Sequence, residues 1–93
     1  MHIIDTELPD VKILTPDVFQ DSRGFFFESF NSKTFKDLVG YSDGFVQDNH
    51  SSSEMNVLRG LHYQINNPQA KLVRVLQGEI FGIVQWCNNL YCG

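Results

Sequence analysis

Short apolar runs, cut at close intervals by Gly and Pro, organise this chain, and their dominant period is two. Val11 to Leu14 forms the first such run and ends at Thr15-Pro16. Asp21-Ser22-Arg23-Gly24 reads as a tight turn into Phe25 to Phe30, whose bulky side chains suit a strand buried on both faces. One segment changes period: Phe35, Leu38 and Val39 fall at i, i+3 and i+4, with Asn31 or Ser32 available as a cap and Gly40 as a stop. This spacing predicts a short helix over 32–39. Strands are expected again at Phe45 to His50 and, after the polar loop Ser51 to Asn56, at Val57 to Gln64. The chain then turns at Asn66-Asn67-Pro68. A hairpin pattern follows, Leu72 to Leu76 and Ile80 to Val84 around Gln77-Gly78-Glu79, with Gly78 at the position that most needs a positive φ. The expectation is an all-β domain, a sandwich or barrel with one short helix.

Composition narrows the class. Ninety-three residues suffice for one small domain, and 42% hydrophobic residues with eight Phe exclude a disordered tail. The net charge of -4 argues against non-specific binding to nucleic acid or an acidic membrane, since both need a basic surface. No basic region followed by an apolar run opens the chain, and no stretch approaches the apolar length of a spanning helix, so cytoplasm is the default location. All charges lie between Asp5 and Glu79. The last fourteen residues, Ile80 to Gly93, carry none, which chance gives roughly one time in twenty at this charge frequency. Cys87 and Cys92 sit there without a second Cys pair or a nearby His, and are read as unpaired thiols.

Polar residues inside the strand runs are the ones that need a reason. Gln47 and Asn49 share a face by the two-residue period, as do His62 and Gln64, although plain solvent-facing alternation gives the same pattern. Arg59 and His62 are three apart. Either they serve opposite faces, or Gly60 marks a bulge that re-aims one of them. Neither GxGxxG nor GxxxxGK[ST] occurs, so dinucleotide and P-loop sites are not indicated. His62-Tyr63-Gln64 offers one imidazole where a β-barrel metal site usually presents two with a carboxylate, so no metal is expected. Composition and pattern alone stop at a small β domain, with an anionic ligand as one option.

Three segments taken together go further. Asp21-Ser22-Arg23-Gly24-Phe25-Phe26-Phe27-Glu28-Ser29-Phe30, Phe45-Val46-Gln47-Asp48-Asn49-His50-Ser51, and Leu58-Arg59-Gly60-Leu61-His62-Tyr63-Gln64 followed by Lys71-Leu72-Val73-Arg74-Val75 resemble, in order and spacing, the dTDP-4-dehydrorhamnose 3,5-epimerase family. The resemblance runs from about Ile3 to Phe81. It implies a cupin-type β jelly roll without metal or redox cofactor, a homodimer, and a dTDP-sugar substrate inverted at C3 and C5 next to a C4 ketone. By motif position it implies His62 as general base and Arg23, Glu28, Gln47, Asn49, Arg59 and Lys71 as substrate-binding residues. Asp48, between Gln47 and Asn49, should face away.

The resemblance also implies a Tyr acid and a His-orienting Asp on later strands, and nothing around Tyr91 matches that pattern. Residues 1–81 are therefore expected to be the amino-terminal part of an incomplete jelly roll, inactive alone, and 82–93 a divergent, frameshift-like tail. The competing expectations are a non-catalytic nucleotide-sugar-binding remnant, or a related sugar-nucleotide epimerase or ketoisomerase.

Overall fold

The computed structural model describes residues 1–41, 43–60, 62, 64, 66 and 69–84. It comprises two units, Met1–Ser51 and Ser52–Gly93. All regular structure among the described residues lies in the first and is mostly β, with four strands and one helix. Strands β1 (His2–Asp5) and β2 (Lys12–Thr15) pair antiparallel, with Ile3 opposite Leu14 and Ile4 opposite Ile13. The same register sets Asp5 opposite Lys12, whose Nζ donates to Asp5 Oδ1 at 2.7 Å. Thr6 organises the loop between them: its Oγ1 lies 2.9 Å from Leu8 O and 2.7 Å from Val11 O, so its single proton serves either carbonyl.

Strands β3 (Val18–Asp21) and β4 (Gly24–Phe27) form a second antiparallel pair, closed by the two residues Ser22 and Arg23. Gly24 takes φ 139°, which a residue with a Cβ rarely adopts, and so lets β4 begin directly after the turn. The strand expected over Phe25 to Phe30 is shorter than its apolar run, since β3 offers only four residues to pair with. Burial on both faces is not observed. Phe25 and Phe26 are 68% and 72% exposed and only Phe27 is half-buried, because among the described residues of this unit no second layer covers either face.

The helix α1 (Ser32–Val39) forms where its own side chains close both ends. Asn31 Oδ1 accepts from Lys33 N at 3.0 Å and Thr34 N at 3.1 Å, satisfying two of the amide groups that a helix start leaves open. Gly40, at φ 80°, ends it with its N–H on Lys36 O at 2.8 Å. Phe35, Leu38 and Val39 are half-buried, and the helix lies beside β1. The apolar centre here is aromatic. Phe35 sits 5.3 Å from Phe45, 5.7 Å from Phe30 and 6.4 Å from Tyr41 between ring centroids, mostly in tilted or edge-on arrangements, the geometry that ring quadrupoles favour.

Beyond Gly40 the described residues form no strand, contrary to the expectations at Phe45 to His50, Leu72 to Leu76, Ile80 to Val84 and the described positions of Val57 to Gln64. A strand needs a second strand to take its N–H and C=O groups, and no ladder forms among the described residues of these segments. Gly78 nevertheless has the expected positive φ, 84°, within a bend at 76–78. Asn67, Pro68, Tyr91 and the thiols Cys87 and Cys92 lie outside the described residues. Among those described, no helix is long and apolar enough to cross a membrane.

Candidate functional site

Four of the expected site residues, Arg23, Glu28, Gln47 and Asn49, belong to the first unit; Arg59, His62 and Lys71 belong to the second. All seven are exposed.

Arg23 occupies the β3–β4 turn, and Asp21 holds it twice. Asp21 Oδ1 accepts from the Arg23 backbone N at 2.8 Å, fixing the turn. Asp21 Oδ2 accepts from Arg23 Nη2 at 2.5 Å and from Nε at 3.2 Å. These bonds to the charged form keep the Asp21 carboxyl below its ordinary pKa and raise that of the guanidinium. Arg23 stands at an open concavity of about 370 Å³ that Phe19, Phe25 and Phe26 also line, so a cation and aromatic faces share one surface. Such a surface suits an anion carrying a flat apolar group. Glu28 directly follows β4.

Gln47 and Asn49 come together as the two-residue period implies, with Gln47 Nε2 donating to Asn49 Oδ1 at 3.1 Å. The bond orients both amides and leaves the Gln47 carbonyl and the Asn49 amine available to hydroxyl or phosphate groups.

In the second unit Arg59 is fixed by the serine loop before it. Nε donates to Ser53 Oγ at 2.8 Å and Nη2 to Ser52 O at 3.2 Å. Gly60, between Arg59 and His62, has φ 128°, a conformation open to glycine and strained for any other residue. The chain here is not a regular pleat, so the opposite-face rule does not govern Arg59 and His62. Lys71 lies in segment 69–84, which carries no regular secondary structure.

Sequence reasoning missed Asp21, Ser52 and Ser53, the residues that hold the two arginines. The Asp-x-Arg spacing of the turn and the Ser run six residues before Arg59 were the available signals. Among the described residues no group of three or more His, Cys, Asp or Glu is placed to hold a metal.

Comparison with known proteins gives these residues a common context. A family model described as dTDP-4-dehydrorhamnose 3,5-epimerase matches residues 5–86, a few positions past Phe81. The protein of that name from Salmonella typhimurium is 58% identical over 84 residues, covering 89% of this chain and 46% of its own length. Its namesake from Methanothermobacter thermautotrophicus is 50% identical over 82 residues, covering 88% and 44%. A solved structure of dTDP-6-deoxy-D-glucose-3,5-epimerase from Legionella pneumophila, in complex with dTDP-4-keto-L-rhamnose, aligns with TM-score 0.50 and 48% identity. The alignment covers 52% of this chain and 26% of that one. The chain thus spans less than half the length of the curated relatives it matches.

Proposed function

This chain belongs to the dTDP-4-dehydrorhamnose 3,5-epimerase family, and from that premise we propose that its residues serve an isomerase acting on a dTDP-linked 4-keto-6-deoxy sugar. The match over residues 5–86, which contains every expected site residue, carries the proposal. The Legionella enzyme, solved in complex with dTDP-4-keto-L-rhamnose, supports the substrate class.

In the proposed reaction a proton leaves C3 or C5 of the sugar and returns from the opposite face. A carbon acid beside a ketone is far weaker than imidazolium, and each pKa unit of mismatch costs about 1.36 kcal/mol. His62 as base therefore needs help from a group that stabilises the enolate. The Lys71 ammonium fills that role, since a fixed positive charge lowers the cost of the oxyanion most in a water-poor site. Arg23 and Arg59 hold the diphosphate, Glu28, Gln47 and Asn49 hold the remaining polar groups, and binding of the nucleotide aligns C3 and C5 with the base. Only protons move, so the reaction calls for no redox cofactor.

The proposal includes a cupin-type jelly roll and a homodimer for the whole domain. Residues 1–81 are its amino-terminal part and 82–93 a divergent tail. The 93 residues alone contain no position matching the family's Tyr acid, and their described side chains include none that is buried, so the polypeptide by itself is expected not to turn over.

The test is incubation with dTDP-4-keto-6-deoxyglucose in D2O, reading deuterium at C3 and C5 by NMR. At its full natural length the protein should exchange both positions; no exchange and no binding of dTDP would refute the proposal. Exchange by the 93-residue polypeptide at the same rate would refute its inactivity, and exchange at C3 alone would place the defect at proton return.

A further inference from the structure

Both arginines proposed to hold the diphosphate are gripped in the same way. A guanidinium has five N–H donors, arranged as one edge made by Nε and Nη2 and a second made by Nη1 and Nη2. Arg23 spends its Nε/Nη2 edge on Asp21 Oδ2, at 3.2 and 2.5 Å. Arg59 spends the same edge on Ser53 Oγ and Ser52 O, at 2.8 and 3.2 Å. In each case the acceptors lie earlier in the same short segment, two residues before Arg23 and six or seven before Arg59. Among the described residues the Nη1/Nη2 edge of each arginine is not otherwise engaged, and its two parallel N–H groups, like those of the other edge, match the oxygens of a phosphate.

We infer that Asp21 and Ser53 are positioning residues, holding Arg23 and Arg59 by one guanidinium edge so that the other is presented to the diphosphate of the nucleotide. This rests on the proposed function. An exposed, unrestrained Arg must give up rotamer freedom when it binds a phosphate, and a side chain already held gives up less. Removing either acceptor should therefore weaken diphosphate binding without changing the groups that touch it.

For Asp21 a competing electrostatic effect has the opposite sign. Its carboxylate is a negative charge beside the anion site, and neutralising it would strengthen attraction for a diphosphate. Positioning predicts looser binding in Asp21→Asn; charge neutralisation predicts tighter. Asn at 21 still supplies an acceptor to the Arg23 backbone N–H, so the turn is kept.

The experiment titrates dTDP by calorimetry, and thymidine by NMR at millimolar concentration, into the protein at its full natural length. Wild type is compared with Asp21→Asn, Ser53→Ala and Ser53→Thr. The expected result is dTDP binding about three- to tenfold weaker in Asp21→Asn and Ser53→Ala, thymidine binding unchanged, and wild-type behaviour restored in Ser53→Thr. A variant binding dTDP as wild type does, or more tightly, overturns the assignment for its arginine. Equal weakening toward both ligands overturns it in favour of a structural role. Failure of wild type to bind dTDP overturns the proposed function, and this inference with it.

Discussion

Replacing Gly60 by Ala tests the link between backbone conformation and the chemistry assigned to its neighbours. At φ 128° an added Cβ would meet nothing closer than His62 N at 3.9 Å, an ordinary contact, so crowding is not the source of any penalty. The penalty is conformational, about 1–3 kcal/mol for holding a residue with a side chain in such a region. Relaxation would rotate the peptide units that join Arg59 to His62. If the competent backbone becomes the minor state by that amount, the fraction of active molecules falls about 5- to 150-fold, and kcat/KM falls with it. The assay is deuterium incorporation at C3 and C5 of the keto sugar at substrate concentrations well below KM, on protein of full natural length. Gly82→Ala is the control: its φ is not in the positive range and its Cβ would meet nothing within 4 Å, so it should leave the rate unchanged. A Gly60→Ala rate within twofold of wild type would refute the reasoning.

Three other outcomes are expected. His62→Asn should slow deuterium incorporation by about 10²- to 10⁴-fold while dTDP still binds; a loss of binding to match would show His62 to be a structural contact. Asn31→Ala removes an acceptor serving two helix amides and should cost about 1 kcal/mol, read as about fivefold faster hydrogen exchange in α1, with Asn31→Ser close to wild type. The Asp21 carboxyl should titrate below an ordinary Asp by NMR, and Arg23→Gln should bring it back up. Because its folded pKa lies below the unfolded one, the pair supports the β3–β4 turn above about pH 4 and is lost as the pH falls through the depressed pKa.

What the sequence made legible was what it settles locally. The helix is closed by Asn31 and Gly40 from within its own ten residues, and the Asp21–Gly24 turn carries its own carboxylate acceptor, so both could be read from spacing alone. Strands were harder because alternation shows a face and not a partner. β1 and β3 have four residues each, too few for a period to stand out, whereas the longer runs after Gly40 show the pattern without a ladder among the described residues. That Gln47 and Asn49 share a face was legible from their spacing, whereas the hydrogen bond between them was not, since alternation alone does not say which side chains meet. Arg59 and His62 were ambiguous because their relation depends on one glycine dihedral that no period encodes.

Every pairing in the first unit joins elements adjacent in sequence: β1 with β2, then β3 with β4, followed by a helix closed from within. As a timetable, this order lets each piece form as it leaves the ribosome, without waiting for distant sequence. Synthesis of the remaining residues to Gly93 takes roughly 3–10 s at ordinary elongation rates. Through that interval the nascent chain holds out Phe19, Phe25 and Phe26, which are still 66–72% exposed in the structure of the 93 residues, together with the strand edges that are unpaired among the described residues. The hairpin that carries Arg23 is thus also where a chaperone would first find a hold.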